Sequence, residues 1–124
     1  MTGRRKTLGN AGERLAARHL EDQGLRIIDR QWRGKAGEID LAALDGETLV
    51  IVEVKTRRGR RFGDAEEAVD EAKSERLLAL GEEYTAAHPE HRERFWRVDL
   101  VAITLGTDGS VVRLTHLPDA CRTG

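Results

Sequence analysis

The run Leu49-Val50-Ile51-Val52 passes without a break into Glu53-Val54-Lys55, and it follows the segment Glu38 to Leu44 across Asp45-Gly46. A run that apolar belongs inside a sheet, and Asp-Gly between two such segments signals a two-residue hairpin. A carboxylate and an ammonium then lie on the continuation of a buried strand, where desolvation is costly unless they are paired or hold a metal. Together with Asp40 they form an acid, acid-x-lysine arrangement able to hold a divalent cation and a water against a phosphodiester. Cross-strand ion pairs among Glu38, Glu53 and Lys55 are the competing, purely structural account of the same charges.

The hairpin's register decides whether the acids meet. Pairing Leu44 with Glu47 across Asp45-Gly46 places Asp40 opposite Ile51 and Glu38 opposite Glu53. Asp40 is then diagonal to Glu53 on the same face, at about 7 to 8 Å between backbones, a gap that two carboxylates close onto one cation. Lys55 shares that face, whereas a three-residue loop would send Asp40 to the other one. The chain carries four lysines against seventeen arginines. Lysine at position 55 therefore suggests a compact ammonium with a shiftable pKa, because guanidinium stays protonated and cannot act as a base.

A length of 124 residues fits one domain. The expected divisions are a basic N-terminal arm at 1–9, a single domain at 10–117 and a tail at 118–124. With 39% hydrophobic and 35% charged residues the chain reads as a soluble globule. No segment approaches the ~20 apolar residues of a membrane span, so a cytoplasmic protein is expected. Cys121 is the only cysteine, which excludes a disulfide framework and a Cys-rich zinc site. A net charge of −1 argues against nonspecific coating of nucleic acid. The basic residues are nevertheless clustered, at Arg4-Arg5-Lys6, at Arg30, Arg33 and Lys35, and at Arg57-Arg58 with Arg60-Arg61, whereas Glu66-Glu67 and Asp70-Glu71 are acidic.

Along the chain, Asn10 is expected to start a helix that Gly24 ends. Asn10 would cap it while Glu13 reaches back in a capping box, an account of Glu13 that stands beside an active-site one. Strands are expected at Leu25 to Arg33, Glu38 to Leu44 and the run through Lys55, followed by an arginine-rich turn at 57–61 and Phe62-Gly63. A second helix, capped by Asp70, should bury Leu77, Leu80 and Tyr84 and close at His88-Pro89. Strands at Phe95 to Leu105 and Val111 to Leu117 complete the order αβββαββ. His88-x-x-His91 has metal-pair spacing but reads as a solvated turn, and His19 and His116 carry no assigned role.

This order, with Gly12-Glu13 in the first helix, Gly37-Glu38-Ile39-Asp40-Leu41 on one strand and Val52-Glu53-Val54-Lys55-Thr56-Arg57 on the next, resembles the bacterial YraN-like family. Phe62-Gly63 and Arg97-Val98-Asp99 extend the likeness, which runs from Gly9 to about Ile103. The family looks like a branch of the PD-(D/E)XK, or restriction-endonuclease-like, superfamily. The resemblance implies an α/β fold with a mixed central sheet flanked by helices. It casts Asp40 and Glu53 as metal carboxylates, with the Val54 carbonyl also facing the metal and Lys55 orienting or deprotonating the attacking water. Glu13 resembles the first-helix glutamate of archaeal Holliday-junction resolvases, and Lys73 stands near a helix glutamine or lysine of related exonucleases. Residue 39 is Ile where the superfamily's name has Pro, a frequent departure. An all-oxygen ligand set favours magnesium or manganese. The expected activity is metal-dependent cleavage of DNA, structured or branched, with Arg57, Arg58 and Lys73 contacting nucleic acid and a homodimer needed to cut two strands. The alternative is a binding module for nucleic acid or protein on a nuclease-like scaffold. Five aromatic residues leave few stacking platforms for a dedicated single-strand binder.

Overall fold

Five strands form one sheet in the order β1-β2-β3-β4-β5, built from β1 (Arg26–Gly34), β2 (Gly37–Asp45), β3 (Thr48–Arg58), β4 (Trp96–Leu105) and β5 (Val111–Leu117). The computed structural model describes residues 3–58 and 70–121, with side chains from residue 10 onward. The expected Phe62-Gly63 element and the clusters Arg4-Arg5-Lys6, Arg60-Arg61 and Glu66-Glu67 lie outside the described residues or side chains. β3 and β4 run parallel, joined through α2 (Glu71–Ala87), and all other neighbours are antiparallel. With α1 (Gly3–Asp22) the order is αβββαββ, the restriction-endonuclease-like arrangement expected from the sequence.

Alternation along β3 divides the core. Val50 and Val52 pack with Ala16, Ala17 and Leu20 of α1, whereas Leu49 and Ile51 pack with Leu77, Leu80 and Tyr84 of α2. A strand covered on both faces must be apolar at successive positions, which explains the uninterrupted run from Leu49 to Val52. Asp70 caps α2, its carboxylate accepting the Lys73 N–H at 2.8 Å, and the helix stops at His88 before Pro89.

Three expectations are corrected. α1 begins at Gly3, so Asn10 lies inside the helix and the Asn10/Glu13 capping box does not form. The β2–β3 register pairs Leu44 with Leu49 and Asp45 with Thr48, so the loop is Gly46-Glu47. Gly46 has φ +59 and occupies the first loop position, as in a II′ turn, whereas the sequence reading put it second, as in a I′ turn. The slip is two residues, which preserves the face of each side chain in the paired segment from Leu41 to Leu44. Lastly, the segment after β5 packs back through Cys121, which is buried, and the Ala120 N–H donates to the Val98 carbonyl at 2.7 Å.

Candidate active site

The β2–β3 ladder reaches Leu41 and Val52, and the next positions on the two strands are Asp40 and Glu53. In the continued register Val54 would face Ile39. Its N–H instead donates to Asp40 Oδ2 at 2.7 Å. An extended residue's N–H and carbonyl point to the same side, so the Val54 carbonyl also faces β2 at this break in the ladder. Continued by one residue, the corrected register sets Asp40 across from Glu53, whose charge acts on it. Glu38 is not opposite Glu53 but pairs with Arg33 on β1 at 3.6 Å.

Glu53 is 7% exposed, and its Oε2 is approached by Lys73 Nζ at 3.3 Å, Arg76 at 3.7 Å and Lys55 Nζ at 4.0 Å. Two of these cations come from the start of α2. The Asp70 cap fixes that first turn, and the spacing of three residues puts Lys73 and Arg76 on one helix face. Further along, Glu83 accepts the backbone N–H groups of Lys35 and Ala36, tying the β1–β2 turn to α2. Gly37, at φ +143, leaves room for the Arg76 guanidinium, which a Cβ there would meet at 2.9 Å.

These surroundings perturb the titrating groups in opposite directions. Burial and the Glu53 charge push the Asp40 carboxyl up to about 7, against the stabilising Val54 N–H. Lys55 is lowered by its contact with Lys73, by burial and by the Lys73 charge, against the pull of Glu53 and Asp40. A raised acid beside a lowered lysine marks this pair as the candidate functional site of the sheet.

Glu13 reaches this neighbourhood from α1. Gly12 lies so close to Thr56 of β3 that any Cβ there would collide with the threonine hydroxyl, and this close approach seats the helix on the strand carrying Lys55. Glu13 accepts the Gln31 side-chain N–H at 3.0 Å, and burial with the Glu38 charge raises its pKa. Gln31 sits opposite Asp40 in the β1–β2 register with φ +52, a left-handed conformation uncommon outside glycine.

The structure therefore brings together Asp40, Glu53, Val54, Lys55 and Lys73, with Glu13 adjoining. Arg57 and Arg58 are exposed at the end of β3, which runs past the expected start of the turn. Arg76 and Gln31 were missed by sequence reasoning. The three-residue spacing from Lys73 pointed to Arg76, whereas nothing local announced the left-handed Gln31. His88 and His91 do not form the expected solvated turn, because His88 is half-buried and stacks on Tyr84 at 4.0 Å between centroids and His91 is buried. Their Nδ1 atoms are engaged by the Tyr84 carbonyl and by Arg94 Nε, and their ring centroids lie 6.3 Å apart. Among the described residues no three His, Cys, Asp or Glu side chains form a metal cage. A hard cation at Asp40 and Glu53 would draw its remaining oxygens from backbone carbonyl and water, as magnesium commonly does.

A family model described as uncharacterised protein family UPF0102 matches residues 12–103. The chain is 47% identical over 120 residues to a UPF0102 protein of Roseiflexus castenholzii, covering 97% of each. It is also 47% identical over 116 residues to one from Paenarthrobacter aurescens, covering 92% of this chain and 93% of the relative. With a Rhodococcus opacus relative the figure is 46% over 113 residues, covering 91% and 94%. These relatives' names state no activity.

Proposed function

The chain belongs to the uncharacterised protein family UPF0102, the YraN family, and from that membership and the crowding of Asp40 and Glu53 beside Lys55 we propose that it is a metal-dependent nuclease hydrolysing phosphodiester bonds of DNA, structured or branched. The observation that carries this reading is the break in the ladder at Asp40, where two carboxylates face each other at the end of an apolar strand. Their repulsion is relieved by a divalent cation, and their oxygen donors suit magnesium or manganese. Such an ion would polarise the phosphate, lower the pKa of a coordinated water and stabilise the leaving oxygen.

The chain's own groups supply the rest. Lys55, with its pKa lowered by Lys73 and burial, orients the attacking water or accepts its proton. Lys73 and Arg76, now held on Glu53, are placed to exchange that carboxylate for phosphate oxygens. Glu13 adds a further carboxylate whose position Gln31 fixes. Cutting both strands of a junction would take a homodimer. Among the described residues no helix is long and apolar enough to cross a membrane, and the proposal locates the protein in the cytoplasm. The second reading, a binding module on this scaffold, is favoured by one observation: Lys73, Arg76 and Lys55 all pair with Glu53 and balance its charge.

The test is cleavage of duplex, single-stranded, flap and four-way-junction DNA with magnesium or manganese. Glu53→Ala should abolish metal binding and cleavage. Lys55→Ala should keep metal and DNA binding but cut about 10²-fold slower or worse, and Lys55→Arg should not restore the rate. Cleavage that survives chelation, or equals the parent's in Glu53→Ala, refutes the proposal, and DNA binding without cleavage selects the binding module.

A further inference from the structure

The basic cluster Arg30, Arg33 and Lys35 is not used by the metal site, and the structure shows where it lies. Pairing of Arg30 with Leu41 and of Trp32 with Ile39 sets Gln31 opposite Asp40, so Arg30 precedes and Arg33 closely follows that position on the neighbouring strand. Adjacent strands are about 4.8 Å apart. β1 is an edge strand, and Arg26, Arg30 and Arg33 are exposed along it, with Lys35 exposed in the turn that follows. Its one acid, Asp29, is turned aside to accept the Tyr84 hydroxyl at 3.2 Å. We infer that the exposed edge of β1 docks the phosphate backbone of DNA, with Arg30 and Arg33 as its anchors, an inference that rests on the nuclease reading and specifies how substrate reaches the site.

Two further observations select this occupant. A protein strand adding to the edge would need a regular ladder, yet the register shifts between Ile27 and Asp29 and Gln31 turns to φ +52. Such irregularities block strand addition, and the opposite edge, with Val111 and Val112 exposed, is the apolar one. Second, the arginines' counter-charges belong to the site's own surroundings. Arg30 acts on Glu13, as does Glu38, and Glu38 is the carboxylate that Arg33 meets at 3.6 Å. An exposed pair of this kind is weak enough to yield to phosphate, which guanidinium holds in a bidentate fork. In a chain of net charge −1, this edge gathers cations beside the scissile position.

The test is anisotropy of a labelled four-way junction and a labelled duplex titrated with the full chain in EDTA over a series of salt concentrations. Arg30→Ala/Arg33→Ala is compared with Arg92→Ala/Arg113→Ala, an equal charge change at exposed sites on other elements. The β1 pair should lower the slope of log affinity against log salt by about two units, at ~0.9 per lost phosphate contact, and weaken binding at least 10-fold. The control pair should match the parent, and circular dichroism should show both variants folded. A β1 variant that binds like the parent, a control pair that loses as much, or a parent that binds neither probe overturns the inference. Parent cleavage with unaffected β1 binding removes this surface and leaves the nuclease, whereas β1-dependent binding without parental cleavage keeps the surface and removes the nuclease.

Discussion

Asp40 and Asp99 are both acids drawn into the sheet, and their environments differ in one decisive respect. Asp99, fully buried on β4, receives Arg97 Nε at 2.9 Å, His116 Nε2 at 2.8 Å and the Asp119 N–H at 2.9 Å. Burial alone would raise its pKa, yet His116, Arg97 and the Asp119 N–H hold the carboxyl below its ordinary value. Arg97 also pairs with Asp45 at 3.2 Å, so the cluster ties β4 to the β2–β3 hairpin and to the segment after β5. Asp40 has a single backbone donor and faces another carboxylate, and its pKa moves up. One buried carboxyl is held in its charged form by its partners, and the other has its charged form disfavoured by burial and by Glu53.

Removing each charge should therefore act on stability with opposite sign. The larger effect belongs to Asp99→Ala, which leaves the Arg97 guanidinium without its buried partner. It should cost about 3 to 5 kcal/mol in chemical denaturation at pH 7. Because Asp99 has a depressed folded pKa, its contribution is present above the unfolded value of about 3.9 and is lost as pH falls through the folded one. A loss below about 1 kcal/mol would show that the cluster is not the latch described.

A smaller, opposite change is expected of Asp40→Asn in metal-free buffer. The native carboxyl, titrating at about 7, holds a proton that the unfolded chain releases near 3.9. Parent stability then falls as pH rises through that window. Asn removes the penalty, so the variant should gain on the order of 2 kcal/mol above pH 7 and nothing below about pH 4. Destabilisation at pH 8 would make Asp40 a structural acid like Asp99 and erase the contrast.

The meeting of Asp40, Glu53 and Lys55 was legible in the sequence because it depends on the hairpin. A two-residue error in register still left Asp40 beside Glu53 and Glu53 beside Lys55, and the apolar run announced a strand covered on both faces. The α2 cap and its Leu77, Leu80 and Tyr84 stripe were equally readable, being local. The start of α1 was not, since glycines and a basic cluster at residues 3–9 read as an arm although the helix runs through them. Nor was the Asp99 cluster, whose partners come from β4, β5 and the segment beyond, or the packing of His88 and His91 against Tyr84. Contacts distant in sequence and without periodicity leave no pattern to read.

Paramagnetic broadening of backbone amides by Mn2+ tests the central contrast directly, because it reports where a hard cation binds whether or not cleavage follows. The account predicts that the Glu53 and Val54 amides broaden at the lowest Mn2+ concentration, ahead of those of Asp99 and Asp119, and that Asp40→Asn abolishes the effect at that concentration. Broadening centred elsewhere, or persisting unchanged in Asp40→Asn, would contradict it.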